Sequence, residues 1–205
     1  MMNNIKISAV LFDLDGVLVD ACDWHYEALN SALTFYKKNP INKHDHENIF
    51  NGLPTKVKLN MLGISLEEAT KINIKKQENT IDIIKANAKI MPEKIKLLNF
   101  LKKNNIKIGC VTNSIKETTE TMLKTTGQFD FFDLIVTNEN VTKNKPHPDC
   151  YNYAIKLLKV NPLECLCVED SEKGIQAAIS SIAKHIWIVK DTTDVTLENY
   201  INFTG

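Results

Sequence analysis

A buried strand that ends in two carboxylates is the feature that most restricts how this chain can fold. Within residues 8–20, the apolar run Ala9–Phe12 predicts a buried β-strand. Asp13 follows at once, and Asp15 comes two residues later. Two carboxylates at the end of a buried strand are destabilising unless they are compensated, and a divalent cation suits them. Ligands of open parallel α/β sheets bind beyond the carboxyl ends of the strands, so we expect a site here.

From Pro92 onward, the chain alternates between helical and strand-like segments. The strand-like runs are residues 106–111, 133–136, 165–168 and 185–189. This alternation indicates βαβ units and a parallel sheet. We therefore predict an α/β fold with a doubly wound parallel sheet, formed by residues 1–18 and 87–205. Residues 19–86 have helical periodicity and no convincing strand, so we predict a helical cap that covers the carboxyl end of the sheet.

Local signals give finer predictions. Residues 51–54 (N-G-L-P) predict a turn, and the polar residues 41–50 predict an irregular segment. Ser65, followed three residues later by Glu68, predicts the start of a long helix. The tail after Asp191 has only weak helix or strand signals.

Composition restricts the partners of the chain. The 205 residues include 25 basic and 25 acidic side chains, so the formal net charge is zero and bulk electrostatics favour neither a nucleic acid nor a membrane. No run approaches the length of a membrane span. Every basic residue apart from histidine is lysine, so any phosphate must be held by lysine, hydroxyl and backbone N–H groups. We expect a monomer.

The cysteines indicate a reducing compartment. There are five of them, an odd number, and they form no CxxC pair. This pattern favours free thiols in a cytoplasmic protein. Cys165 and Cys167 could in principle bind a metal, but two strand residues without a second pair are better explained as small core residues.

Four segments carry the polar residues of the predicted strand ends. They are D-L-D-G-V-L-V-D (13–20), V-T-N-S (111–114), K-P-H-P-D (145–149) and V-E-D-S-E-K-G-I-Q-A-A (168–178). In this order they resemble the four motifs of the haloacid dehalogenase (HAD) superfamily, and the resemblance extends over nearly the whole chain. The position of the helical insertion resembles the subgroup that contains the β-phosphoglucomutase-like phosphatases.

The resemblance implies a role for each motif residue in phosphoryl transfer. Asp13 would be the nucleophile that forms an aspartyl-phosphate. Asp15 would protonate the leaving oxygen and later deprotonate the attacking water. Thr112 and the backbone of Asn113 would bind phosphoryl oxygens, and Lys145 would neutralise charge on the phosphoryl group and on the nucleophile.

The resemblance also implies Mg²⁺ as the cofactor. A carboxylate oxygen of Asp13, the backbone carbonyl of Asp15 and the side chain of Asp170 would bind the ion, with water completing an octahedron. Glu169 would act from the second coordination shell or through water.

Residues that bind the substrate are harder to assign. We assign Gly16 and His25 to substrate or phosphate binding. His25 matches a histidine that the mutase-like members often carry, so it could help to hold the cap, or it could be an ordinary helix residue. Those mutases typically use a cap arginine to hold a second phosphate, whereas this chain has Thr55 and Lys56 at that point. Lys56 or Lys58 could substitute as a point charge.

Several of these patterns also have a structural explanation. Residues 112–114 could cap the next helix, which is compatible with phosphate binding because a helix N-terminus attracts anions. His147 lies between two prolines and is better explained by structure. His44 and His46 lie in a polar segment without a third ligand, so we assign no metal to them.

Taken together, the sequence predicts a Mg²⁺-dependent hydrolase of phosphate monoesters whose partner is a small-molecule phosphate, such as a sugar phosphate. A sugar phosphomutase is the alternative enzyme, and a non-catalytic binding protein of the same family is the alternative outside enzymes. True dehalogenation is disfavoured, because a departing halide needs no proton and Asp15 would have no task.

Overall fold

The structure is a computed structural model that describes residues 5–50 and 53–205, apart from the side chain of Glu47. It divides into two compact units. The sheet unit comprises Met1–Asp20 and Lys89–Gly205, and the helical unit comprises Ala21–Ala88. That the helical unit acts as a cap stays a prediction. The predicted turn at residues 51–54 lies partly outside the described residues.

The described residues form five strands and nine α-helices. The strands are β1 (Ala9–Phe12), β2 (Lys107–Val111), β3 (Leu134–Val136), β4 (Cys165–Glu169) and β5 (His185–Ile188). The helices are α1 (Cys22–Phe35), α2 (Lys43–Asp45), α3 (Thr55–Met61), α4 (Leu66–Asn87), α5 (Pro92–Lys103), α6 (Lys116–Thr125), α7 (Asp149–Leu158), α8 (Glu172–Ile179) and α9 (Leu197–Thr204). None of the described helices combines the length and apolar character needed to cross a membrane.

The five strands form one parallel sheet in the order β3-β2-β1-β4-β5. This arrangement confirms the predicted doubly wound α/β fold. Strand β1 is central, and its residue Ala9 pairs with Lys107 on one side and with Cys165 on the other. The carboxyl ends of β2 and β4 therefore lie on either side of the end of β1, where Asp13 begins.

The core of the sheet unit explains why these strands are almost wholly apolar. All four residues of β1 are fully buried, as expected for a parallel sheet that helices cover on both faces. Cys165 and Cys167 lie in the same core as free thiols, packed with residues such as Leu11 and Tyr151. Their burial supports the interpretation of this pair as small core residues.

The helical unit is built around the contact between α1 and α4. Its core contains Leu29, Leu33, Leu59 and Ile72. Helix α4 begins as predicted, because the Ser65 hydroxyl accepts a hydrogen bond from the backbone N–H of Glu68 and donates one to the Glu68 carboxylate.

Two segments are more regular than the sequence predicted. Residues 41–50 contain helix α2, capped by the Asn42 side chain, followed by one π-helical turn over His46–Phe50. The tail forms helix α9, whose Tyr200 packs against Trp187 and Phe100. Apolar side chains from distant parts of the chain stabilise this last helix, and a local sequence pattern does not contain these contacts.

Two isoleucines of α4 test the packing of the helical unit. Ile72 is fully buried, whereas Ile74, two residues later in the same helix, is 57% exposed. We expect Ile72→Ala to lower the free energy of unfolding by about 2–5 kcal/mol, because the lost methyl groups leave a cavity. Ile74→Ala, the matched control, should change it by less than about 0.5 kcal/mol. Urea unfolding measures both, and equal effects would contradict this packing.

Candidate functional site

A buried lysine connects the ends of three strands. The Lys145 ammonium donates hydrogen bonds to Asp13 Oδ1 at 2.6 Å, to the Val111 carbonyl at 2.7 Å and to Glu169 Oε1 at 2.6 Å. Asp13 follows β1, and the other two acceptors are the last residues of β2 and β4. Because the sheet order places β1 between β2 and β4, one ammonium group reaches all three.

The loop after β2 fixes the backbone of Lys145. The Asn113 side chain accepts a hydrogen bond from the Lys145 backbone N–H at 3.0 Å and donates one to the Lys145 carbonyl at 3.1 Å. This bidentate contact resembles a pair of strand hydrogen bonds, so the loop before α7 is held against the loop after β2. Only the backbone of Asn113 was predicted to act at the site, so this use of its side chain is new from the structure.

Asp15 is oriented by a residue that the sequence did not single out. The Ser114 hydroxyl donates a hydrogen bond to Asp15 Oδ2 at 2.9 Å. The Ser114 backbone N–H in turn donates to the hydroxyl oxygen of Thr112, which is itself buried. The three polar residues after β1 and β2 are therefore connected through hydrogen bonds, and the carboxylate of Asp15 lies half-buried at their edge.

Three carboxylates gather beside the lysine. Asp13, Glu169 and Asp170 each offer an oxygen, and these oxygens lie within 4.8 Å of one another. Two buried oxygens, Glu169 Oε2 and Asp170 Oδ1, have no hydrogen-bond partner among the described residues. Buried carboxylate oxygens without donors are strongly destabilising, so their presence points to a cation that would bind them.

The charges of the site are unbalanced without such a cation. Burial raises the pKa of the Asp13 carboxyl well above its ordinary value, against the opposing effect of Lys145 and with a contribution from Glu169. Burial and the neighbouring Glu169 raise the pKa of Asp170 to about 6. Burial opposes the charged form of Lys145, but Asp13 and Glu169 outweigh it and raise its pKa. One positive charge therefore faces several carboxyl groups, which a divalent cation would allow to ionise together.

Two glycines leave room for the carboxylates. A β-carbon at Gly16 would collide with the Asp170 carboxylate, and one at Gly174 would collide with the Glu169 carboxylate. Gly16 also has a φ of +88°, which L side chains rarely adopt. The residues present thus fit a hard divalent cation, since they supply oxygen ligands, two unpartnered oxygens and close backbone approach.

Tyr151 is a further site residue that the sequence analysis missed. It lies on α7, is fully buried, and donates a hydrogen bond from its hydroxyl to Glu169 Oε1 at 2.5 Å. Burial and the Glu169 carboxylate raise the pKa of Tyr151, so the phenol keeps its proton. This role has no local sequence signal, because a tyrosine on the apolar face of an amphipathic helix looks like an ordinary core residue.

The structure places the two predicted cap residues in the helical unit. His25 lies on α1, and its Nδ1 is 3.3 Å from the Lys76 ammonium. Lys56 is exposed on α3, whereas Lys58 and Lys76 are buried. The phosphate-binding roles of His25 and Lys56 stay predictions.

The remaining histidines form no metal site within the described part of the chain. His46 is buried beside Tyr26, and burial lowers its pKa to about 4. His44 and His147 are exposed.

A parallel α/β sheet whose central strand ends in paired carboxylates beside a buried lysine defines an enzyme of phosphoryl transfer. The chain belongs to the haloacid dehalogenase-like hydrolase family, whose pattern matches residues 10–188. It is a phosphatase or phosphomutase of that family.

Named relatives share most of their length with this chain. It is 30% identical to a probable pseudouridine-5'-phosphatase from Saccharomyces cerevisiae, over 92% of this chain and 85% of that protein. It is 29% identical to β-phosphoglucomutase from Bacillus subtilis, over 94% and 93% of the two chains. The crystal structure of β-phosphoglucomutase from Clostridium difficile superposes with a TM-score of 0.78 at 29% identity, covering 96% of each chain.

Gly16 and Gly63 offer a matched test of the space reserved for Asp170. Both have positive φ, but a β-carbon at Gly63 would meet no atom within 4 Å. Each change to alanine strains the backbone by about 1–2 kcal/mol, and only Gly16→Ala also displaces Asp170. We expect Gly16→Ala to weaken Mg²⁺ binding about tenfold or more, while Gly63→Ala leaves it unchanged. Titration calorimetry with Mg²⁺ measures both, and equal affinities would refute the role of Gly16.

Proposed function

We propose that the protein is a Mg²⁺-dependent hydrolase of small phosphate monoesters that works through an aspartyl-phosphate on Asp13. One observation carries this proposal: the Asp13 carboxylate lies at the end of the central strand, hydrogen-bonded to the Lys145 ammonium and close to two further carboxylates. A nucleophile needs one oxygen directed at phosphorus and compensation for its charge, and this arrangement supplies both.

In the first step, an oxygen of Asp13 attacks the phosphorus atom of the ester. The bond from phosphorus to the ester oxygen breaks, and Asp15 donates its proton to that leaving oxygen. The Ser114 hydroxyl donates a hydrogen bond to Asp15 Oδ2 at 2.9 Å, which supports this role because it orients the carboxyl group that exchanges the proton. The products are the free alcohol and an acyl phosphate on Asp13.

In the second step, water hydrolyses the acyl phosphate. Asp15, now ionised, takes a proton from the water molecule as its oxygen attacks phosphorus. The bond from phosphorus to Asp13 breaks, which releases inorganic phosphate and restores the carboxylate. Asp15 thus regains the proton that it donated in the first step, so both carboxyl groups return to their starting states.

The phosphoryl oxygens need donors throughout both steps. We assign this task to Lys145, to the Thr112 hydroxyl and to backbone N–H groups near Gly16 and Asn113. Lys145 already neutralises Asp13, so it can follow the charge as this moves onto the phosphoryl group.

The cation would be held by Asp13, Asp170 and the backbone carbonyl of Asp15, with Glu169 close behind them. The unpartnered buried oxygens of Asp170 and Glu169 support this assignment. A bound Mg²⁺ ion supplies charge neutralisation at the phosphoryl group.

The names of the relatives support a small phosphorylated substrate. They include a probable pseudouridine-5'-phosphatase and a β-phosphoglucomutase, which act on a nucleoside phosphate and a sugar phosphate. We therefore infer that a phosphorylated sugar or nucleoside is the substrate. The helical unit would select it, with His25 and Lys56 as the first candidate contacts.

A sugar phosphomutase is the second candidate, because the relative from Bacillus subtilis matches over almost its full length. A mutase holds a second phosphate, which this chain would have to bind with lysine since it has no arginine. Interconversion of hexose phosphates primed by a hexose bisphosphate, with little release of inorganic phosphate, would favour the mutase.

Removal of the metal and of the nucleophile tests the proposed function. We expect the wild-type protein to release phosphate from p-nitrophenyl phosphate and from sugar phosphates when Mg²⁺ is present. A chelator, or Asp13→Asn, should reduce release to background, because the first removes the charge compensation and the second the attacking oxygen. Circular dichroism checks that the variant stays folded. Near-normal activity of Asp13→Asn, or no turnover of any phosphate by a Mg²⁺-binding wild type, would overturn the proposal.

The proton donated by Asp15 should matter most when the leaving group is basic. For an alkyl phosphate, Asp15→Asn should lower kcat/KM about 100-fold or more, since general acid catalysis typically contributes at least that factor. For p-nitrophenyl phosphate, whose leaving group needs little protonation, the loss should be much smaller. The ratio kcat/KM is the right measure, because it reports the first chemical step. Equal losses on both substrates would contradict the acid role.

A further inference from the structure

Tyr151 contacts the two groups that surround the proposed nucleophile. Its hydroxyl donates to Glu169 Oε1 at 2.5 Å, and its ring centroid lies 5.0 Å from the Lys145 ammonium. It touches neither Asp13 nor Asp170 in the hydrogen bonds of the described residues. The hydrogen bonds through which Tyr151 could position Asp13 therefore run through Glu169 and Lys145.

The hydroxyl of Tyr151 helps to determine the orientation of the Glu169 carboxylate. Glu169 Oε1 accepts from both Tyr151 and Lys145, whereas the buried Oε2 has no donor within residues 5–50 and 53–205. Gly174 lies directly against this carboxylate, so a side chain there would displace it. The two hydrogen-bond donors on Oε1 and the nearby backbone of Gly174 restrict the rotation of the Glu169 carboxylate. Oε2 is thereby left available for a ligand.

The same hydrogen bond affects where Lys145 lies. Lys145 is shared between Asp13 Oδ1 and Glu169 Oε1, each at 2.6 Å. A phenol that donates to Glu169 satisfies part of the negative charge of that carboxylate, so Glu169 competes less strongly with Asp13 for the ammonium group. The tyrosine ring, which attracts the cation over its face, limits the motion of the ammonium further.

We propose that Tyr151 is a positioning residue that acts through Glu169 and Lys145 to hold Asp13 and the metal-binding carboxylates in place for phosphoryl transfer. The effect on turnover rests on the function proposed above, whereas the effect on Mg²⁺ binding does not. Phenylalanine would keep the contribution of the ring, so the part of the role that requires tyrosine belongs to the hydroxyl.

Tyr151→Phe tests this role, since it removes one buried oxygen and keeps the ring. Hydrogen-bond partners behind a metal site typically contribute about 10–100-fold to affinity or activity. We expect kcat to fall by about that factor, with KM for the phosphate ester changed by less than about twofold. Calorimetry should show Mg²⁺ binding weakened about tenfold or more in the same folded variant.

Tyr200→Phe is the matched control. Tyr200 is buried in the same unit, on α9, where it packs against Trp187 and Phe100. Tyr200→Phe also removes one phenol oxygen, and it should leave kcat and Mg²⁺ affinity unchanged. Urea unfolding of both variants shows how much of any change reflects stability alone.

A double-mutant cycle separates action through Glu169 from an independent effect. Tyr151→Phe should add less than about twofold in kcat or Mg²⁺ affinity when Glu169→Gln is already present, since the charged acceptor is gone. Equal losses in both backgrounds would overturn the proposal, as would Tyr151→Phe values within twofold of wild type. If the wild type turns over no phosphate, the proposed function fails, yet the Mg²⁺ affinities of the four proteins still decide the role of Tyr151.

Discussion

The buried ammonium group of Lys145 is the interaction on which the rest of the site depends. Moving a charge of this kind out of water has an effective penalty of several kcal/mol, which only close partners can offset. Those partners are Asp13, Glu169 and the Val111 carbonyl, one from the end of each of three adjacent strands. The order of the sheet is therefore a requirement of the site. If β2 or β4 were not adjacent to β1, the lysine would lose a partner and its burial would be unfavourable.

Strand ends could be predicted from the sequence because they are local patterns. The apolar run before Asp13 and the polar residues after Val111 were sufficient to locate two strand ends that contribute to the site. Lys145 could not be distinguished from the other lysines by pattern alone, and only the resemblance of its motif to the HAD superfamily selected it. Tyr151 was beyond reach for a different reason: its hydroxyl meets Glu169 only after α7 packs on the sheet, so the contact joins residues 18 positions apart. Helix α9 likewise depends on Trp187 and Phe100, which a local pattern cannot include.

The chain contains no arginine, which limits the kinds of side chain with which it can bind a phosphate. A guanidinium group fixes a phosphate with two parallel hydrogen bonds, whereas an ammonium group is a point charge without preferred orientation. The orientation of the ammonium group must then be set by the protein around the lysine. In the sheet unit, Asn113 supplies it by holding the Lys145 backbone on both sides. In the helical unit, Lys58 and Lys76 are buried, which restricts their side chains in a comparable way. If these lysines bind phosphate as proposed, the direction of each contact would depend on how firmly the protein holds the lysine.

The carboxylates of the site are only partly compensated within the protein, because Lys145 pairs with one oxygen of Asp13 and one oxygen of Glu169. Gly16 and Gly174 let the Asp170 and Glu169 carboxylates lie close to the backbone, but they supply no charge to balance them. Two buried oxygens have no partner among the described residues, and burial with Glu169 raises the pKa of Asp170 to about 6. A proton on Asp170 relieves the repulsion below that pH, and a divalent cation relieves it above. Because protons and the cation compete for the same oxygen, affinity for the cation rises as the pH increases through this range. Because this imbalance of charge is destabilising, it would make the binding of a cation favourable.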